Sequence, residues 1–280
     1  MSALIALGND AREDLALEEL LRLTRRNRFL PIPPQERNFV GDGDFLAIGC
    51  EFLRHFVELG GLRPQHRVIE IGCGLGRMAL PLTQFLEPPA GRYSGFDVVA
   101  EGIAWARENI ASRYENFDFR HLDFRNQLYN PQGNLGADTG ALPFEAARAD
   151  FILMTSVVTH LDALDTAFYL RESARLLRPQ GRLFVTAFVL DAVNRQLVSQ
   201  RKSRPAFELG DGPAHFSDRA HPMAAVAFDF DWLLATAAAA GLHLARPVAF
   251  GHWSGRQAEN FQDICVFSRS IAPGREATSQ

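Results

Sequence analysis

The spacing of apolar positions along the chain changes character near residue 65. Before that point, leucines at 15, 20, 21 and 23 recur among charged residues, the spacing of one apolar helix face. An amphipathic helix is expected over 10–27. Pro31, Pro33 and Pro34 cannot continue it, so residues 30–43 read as a connecting arm that ends in the GDGD run. A second helix, about 45–60, stops at Gly60 and Gly61.

After residue 65, short apolar runs alternate with helical stretches. HRVIEIG precedes a helix to about 86, and RYSGFD precedes a helix from about 99 to 112. FDFRHLD, ADFILMTS with a helix at 163–177, and GRLFVTAFV follow. Strands alternating with helices imply parallel βαβ units in a doubly wound sheet. LARPVAFG and DICVFSR lie close enough in sequence to form a hairpin, which makes one strand antiparallel. No internal repeat is visible, and the final residues read as a mobile polar tail.

Composition narrows the class. With 280 residues, 47% hydrophobic and 22% charged, the chain suits one large globular domain with added helices. The expected division is a helical arm over 1–62, a main domain over 63–269 with an insertion at 191–228, and a tail over 270–280. No stretch reaches the ~18–20 uncharged apolar residues of a membrane span, so no membrane partner is expected. A net charge of −4 argues against a nucleic-acid partner. Arg22, Arg25, Arg26 and Arg28 follow Glu13, Asp14, Glu18 and Glu19, the order that a helix dipole favours, and this accounts for the basic cluster without a polyanion. Cys50, Cys73 and Cys265 lie far apart with no CxxC pair, so they read as free thiols and not as metal ligands. Asp10, Glu13 and Asp14 stand where a secretion signal would be basic and then apolar, and a cytoplasmic location is expected.

The stretch VIEIGCGLGR carries the chemistry. Val68, Ile69 and Ile71 form a strand, and Gly72, Gly74 and Gly76 form the turn after it. A dinucleotide fingerprint needs a small residue at position 77, where Arg77 stands. The next strand ends at Asp97, whose ionised carboxylate can accept both ribose hydroxyls of a nucleoside, or can cap the following helix. The third strand is expected to end at Asp123.

With GxGxG preceded by Glu70, the chain resembles motif I of class I S-adenosylmethionine-dependent methyltransferases of the bacterial small-molecule type. The resemblance covers about residues 66–189 and includes Asp97, Asp123 and LLRPQGRLF. It implies S-adenosyl-L-methionine as cofactor, bound by Glu70, Gly72, Gly74, Gly76, Asp97 and Asp123, with Asp123 accepting from the adenine amino group. The implied fold is α/β: a doubly wound, Rossmann-like, seven-stranded, mostly parallel sheet with the last strand antiparallel. An N-terminal helical arm and an insertion after strand 5 are added to it. NQLYNPQGNLGADTG departs from the family by lengthening the connection between Asp123 and Leu142–Pro143–Phe144.

Ligands of a doubly wound sheet bind beyond the carboxyl ends of its parallel strands. The fourth strand brings Thr155, Ser156, Thr159 and His160 there, the fifth Asp191, the sixth His252 and Trp253, and the seventh Gln262 and Asp263. Transfer to a hydroxyl needs a proton acceptor, and a neutral histidine suits that work near pH 7. His160 is the first candidate base and His252 the second. Thr159 or His160 could instead cap the next helix, and His252 could belong to a packed rim. Thr159, Trp253, Asp263 and His215 are the candidate substrate contacts. Phe39 and Phe45 could face a sulfonium or simply join the core. The resemblance implies a small-molecule acceptor, with O-methylation in a natural-product or saccharide pathway. N- or C-methylation is the alternative, an NAD(P)-dependent oxidoreductase is disfavoured by Arg77, and a homodimer stays open.

Overall fold

A computed structural model describes residues 9–136 and 140–270 of the chain. Two compact units are present: the chain through His66 together with Cys73–His121, and Arg67–Gly72 together with the chain from Leu122 on. The division passes through the glycine turn between Gly72 and Cys73. Apart from Ser270, the expected tail lies outside the described residues.

The first unit opens with helix α1 (Asn9–Arg26), which buries Leu17, Leu21 and Thr24 and exposes the Glu19–Arg22 ion pair. After the proline-rich arm, helix α2 (Phe45–Glu58) starts at Asp44, whose side chain accepts the Ala47 N–H at 2.7 Å. Leu46, Gly49, Cys50, Leu53 and Phe56 form its buried face. The helix expected after the glycine turn is reduced to α3 (Ala79–Leu82), with turns on either side. Pro81 lacks the N–H that would bond the Arg77 carbonyl, and Gly49 packs so close to that carbonyl that a Cβ would sit 2.5 Å from it. Strand β2 (Arg92–Asp97), helix α4 (Ala100–Ala106) with a π-turn over Arg107–Ala111, and strand β3 (Phe117–His121) complete the unit. β2 and β3 are parallel, in register from Tyr93–Phe117 to Asp97–His121. β3 therefore stops two residues short of Asp123, where the sequence pattern had placed its end.

In the second unit, β1 (Arg67–Ile71) lies parallel to β4 (Ala149–Met154), and β4 lies parallel to β5 (Leu177–Leu190). β1 is buried from Val68 to Ile71, as its near-continuous apolar run predicts for a strand covered on both faces. Helix α5 (Ala163–Leu176) begins at Asp162, which accepts the Asp165 N–H at 2.8 Å. β5 is long enough for two different neighbours: Arg182–Ala187 pair antiparallel with β9 (Asp263–Arg269), and Phe188–Leu190 pair parallel with Val226–Asp229.

Residues 191–228, expected to be an insertion, are structured. They hold helix α6 (Ala192–Ser199), strand β6 (Ala214–Phe216), a 3-10 turn over Pro222–Ala224, and β7 (Val226–Asp229), which pairs with β6 as well as with β5. β6 and β7 raise the strands among the described residues above the seven expected, to nine. Helix α7 (Phe230–Ala239) follows. The sixth strand of the sequence pattern is β8, only Leu242–Leu244, and Ala249 adds a lone bridge to Ile264. Pro247 between them has no N–H for a ladder. β8 and β9 are antiparallel, the hairpin read from the sequence.

Candidate active site

Three of the six cofactor candidates, Gly74, Gly76 and Asp97, belong to the first unit, and Glu70, Gly72 and Asp123 belong to the second. Gly72, Gly74 and Gly76 have φ of 74°, 51° and 81°, the left-handed region that side chains avoid. At Gly74 space adds to conformation: a Cβ there would lie 2.4 Å from Val40 of the arm, and Phe39 approaches the same point. The Gly74 N–H donates to Asp97 Oδ2 at 2.7 Å, and the Val99 N–H donates to Oδ1 at 2.8 Å. Both bonds hold the carboxylate on the glycine turn, and the Val98 backbone adds a third donor. Burial pushes the Asp97 pKa up, against the backbone donors at Val99 and Gly74 that pull it down. A glycine turn with an acid held against it fits a ribose-bearing cofactor. Phe45 is buried in α2, whereas Phe39 stands at the turn.

In the second unit, Glu70 is buried in β1. Asp123 accepts from Asn130 Nδ2 at 3.0 Å, and from the backbone and side chain of Asn134 at 3.3 and 2.6 Å. The lengthened NQLYNPQGN segment thus folds onto this carboxylate. Further on, Arg175 donates to the carbonyls of Leu142 and Phe144 at 2.9 and 2.8 Å.

After β4 the chain turns sharply at Ser156, whose φ of 58° is costly for a non-glycine residue. The Thr159 hydroxyl donates back to the Ser156 carbonyl at 2.9 Å, which closes the 3-10 turn Val158–His160. His160 Nδ1 lies 2.9 Å from the Met223 carbonyl. A carbonyl only accepts, so Nδ1 carries the hydrogen and Nε2 the lone pair. Burial lowers the His160 pKa, which keeps the ring neutral at pH 7. The cap of α5 is Asp162, not Thr159 or His160. Met223, which holds the ring, and Asn126, which donates to the His160 carbonyl at 3.3 Å, both line a cleft of about 450 Å³, together with Arg125, Asp162, Leu164 and Asp165.

The other candidates occupy different surroundings. His252 is exposed, with its ring edge against Phe261. Trp253 is 1% exposed and packs on Phe188 and Phe207, and its Nε1 donates to Asp263 at 2.8 Å. Asp263 is wholly buried and accepts as well from the Val189 and Gly251 N–H groups, each at 2.7 Å. His215 is also buried: Gly210 N–H donates to Nδ1 at 3.1 Å, so Nε2 carries the hydrogen given to Asp229 at 2.7 Å.

A network not anticipated from the sequence joins the 251–263 segment to α6. Arg256 reaches both oxygens of Asp191 and also bonds Asn194 Oδ1 at 2.6 Å, while Asn194 accepts from Ser254 at 2.8 Å and donates to the Val189 carbonyl at 2.7 Å. Asp191 caps α6 through Asn194 N–H, so its carboxylate is engaged on both sides. The one sequence signal was Asp191 at a helix start; nothing marked Arg256 as its partner.

A family model described as "Methyltransferase domain" matches residues 24–270. Among solved structures, a SAM-dependent methyltransferase from Methanosarcina mazei is similar at TM-score 0.51 and 16% identity, covering 77% of this chain and 98% of that one. The 1,6-didemethyltoxoflavin-N1-methyltransferase of Burkholderia thailandensis, solved with its acceptor and S-adenosylhomocysteine, is similar at TM-score 0.51 and 17% identity, covering 95% and 92%. The [4+2]-cyclase SpnF is similar at TM-score 0.52 and 17% identity, covering 91% and 93%. Likenesses this distant show the α/β fold alone. A curated relative, the highly reducing polyketide synthase easB of Emericella nidulans, is 28% identical over 132 residues, 46% of this chain, and the match spans only 5% of that protein's length.

Proposed function

The chain belongs to the methyltransferase-domain family, and we propose that this S-adenosylmethionine-dependent methyltransferase acts on a hydroxyl group of a small molecule. The observation that carries the reading is His160, a buried imidazole held by the backbone at Met223 and Ala224, where Met223 also lines a cleft of about 450 Å³. That volume suits a small molecule. Natural-product or saccharide biosynthesis is the setting we infer for such an acceptor.

Asp97 and the glycine turn would hold the cofactor, which supplies, when bound, a methyl carbon on a positively charged sulfur. Asp97 accepts the ribose hydroxyls, and Phe39 and Val40 shield the turn from water. His160 Nε2 takes the proton that the acceptor hydroxyl gives up as its oxygen gains the methyl group, and the Met223 carbonyl steadies the imidazolium so formed. Trp253, Asp263 and His215 have their polar atoms bonded inside the protein and serve by joining the segments they bridge. His252, exposed on the same hairpin, is the second candidate base.

Binding of S-adenosylhomocysteine measured by calorimetry, and transfer of a labelled methyl group to a panel of hydroxyl acceptors, test the reading. A chain that binds NAD(H) but not S-adenosylhomocysteine overturns it. His160→Ala should lower kcat by about 10²–10⁴-fold, the usual worth of a general base, with S-adenosylhomocysteine affinity unchanged. In the wild type the rate should rise as His160 deprotonates, below its ordinary pKa of 6.5, and stay level through neutral pH. A rate indifferent to the substitution would remove His160 from the mechanism.

A further inference from the structure

Gln262, the residue before β9, sets its amide oxygen against two hydroxyls. The Thr186 hydroxyl accepts the Ser156 N–H at 2.7 Å, so its own hydrogen is available to give, and it lies 2.5 Å from Gln262 Oε1. The Ser156 hydroxyl donates to the same oxygen at 3.1 Å. Each hydroxyl thus has a hydrogen for Oε1, and the structure sets that oxygen, not Nε2, against both of them. Oε1 is filled by two donors. The Nε2 hydrogens point away from both hydroxyls and have no hydrogen-bond partner among the described residues.

The three residues meet where β4 ends, β5 runs on and β9 begins. Ser156 is the strained residue at that point, and its carbonyl is bonded by Thr159, one residue before His160. One tight turn therefore carries the base at one end and the clamp on Gln262 at the other. Three polar groups and a left-handed backbone spent on fixing one amide are more than packing requires, because an apolar side chain would fill a half-buried position there without needing any of them.

We propose that Gln262 is a specificity-determining residue, whose amide N–H groups bind an oxygen of the acceptor, a carbonyl, ether or second hydroxyl, beside the atom that is methylated. This rests on the methyltransferase reading above, and it narrows the acceptor to molecules carrying two neighbouring oxygens, such as vicinal diols, hydroxy ketones and ortho-oxygenated phenols.

The test compares wild type with Gln262→Glu, which keeps an oxygen for Thr186 and Ser156 but has no N–H to give, and with Gln262→Met, which keeps only the length. Each is assayed with labelled S-adenosylmethionine on paired acceptors, catechol against phenol and a vicinal diol against its monohydroxy analogue. Wild type should prefer the two-oxygen member by about tenfold or more in kcat/KM, since a donor left without its partner is what such a site rejects. In both variants the preference should collapse through a rise in KM for the two-oxygen member, with the calorimetric affinity for S-adenosylhomocysteine unchanged. Equal use of both members by wild type, a preference that survives in Gln262→Glu, or no transfer to any two-oxygen acceptor overturns the proposal. Because S-adenosylhomocysteine binding is measured separately, those results are distinguishable from a failure of the methyltransferase reading, which would show as no binding at all.

Discussion

Asp263 sets a charge in the interior and surrounds it with N–H donors from three places in the chain: Val189, Gly251 and the Trp253 indole. Burial still dominates and raises its pKa from 3.8 to about 7. The folded chain then keeps this proton at pH values where the unfolded chain has lost it. The stabilisation from this group is full below about pH 4 and disappears as pH rises through about 7. Urea unfolding of wild type and Asp263→Asn should therefore show the wild-type advantage shrinking by about 2 kcal/mol between about pH 5.5 and about pH 8.5, at ~1.4 kcal/mol per pH unit below the native pKa. A pH-independent difference would mean that the three donors hold the carboxylate ionised throughout. Asp97 could be read from the sequence because its position, an acid ending the strand after a glycine turn, is itself the signal. The role of Asp263 could not, since a donor 74 residues away leaves no mark in local sequence.

Among the elements, β5 decides the most. Its last three residues, Phe188–Leu190, leave β9 and take β7 as a partner, which anchors the insertion to the sheet. Phe188 and Leu190 enter an apolar cluster with Val198 of α6, Phe207, Ala225, Ala227 and Trp253. Trp253→Ala should thus cost about 3–5 kcal/mol in chemical denaturation, the range for a buried large aromatic, and loosen the insertion as read by amide exchange at β6 and β7. Trp253→Phe should cost less but leave Asp263 without its indole donor. An alanine variant as stable as wild type would show that the cluster does not hold the insertion. Strands and helices of the main pattern were legible because a period of two or 3.6 is local. In two places where the pattern misled, a proline took part: Pro81 removes the bond that would carry the helix back to Arg77, and Pro247 stands where the sixth strand stops.

Over the whole molecule, a ligand that binds only the folded chain raises its stability by mass action. At about 100 times its Kd, S-adenosylhomocysteine should add about 2.7 kcal/mol and raise Tm by roughly 5 °C or more. Asp97→Asn should lose most of that rise, because it removes the charge that accepts from Gly74 and leaves an amide where a ligand hydroxyl must donate. A full rise in the variant would relieve Asp97 of its role.

The sequence by itself determined the α/β class, the alternation of strands and helices outside residues 191–228, the glycine turn and the acid that ends β2, all of them properties of neighbouring residues. No helix among the described residues is long and apolar enough to cross a membrane, consistent with the uninterrupted pattern of short elements. Tertiary structure alone decided which polar side chains remain available. It closed Trp253, Asp263 and His215 into the protein, fixed the tautomer of His160 through a carbonyl 63 residues away, and turned the amide of Gln262 outward by way of Thr186, 76 residues away. The physical reason is that a hydrogen bond is satisfied by whatever folding brings within about 3 Å, and sequence spacing carries no record of it.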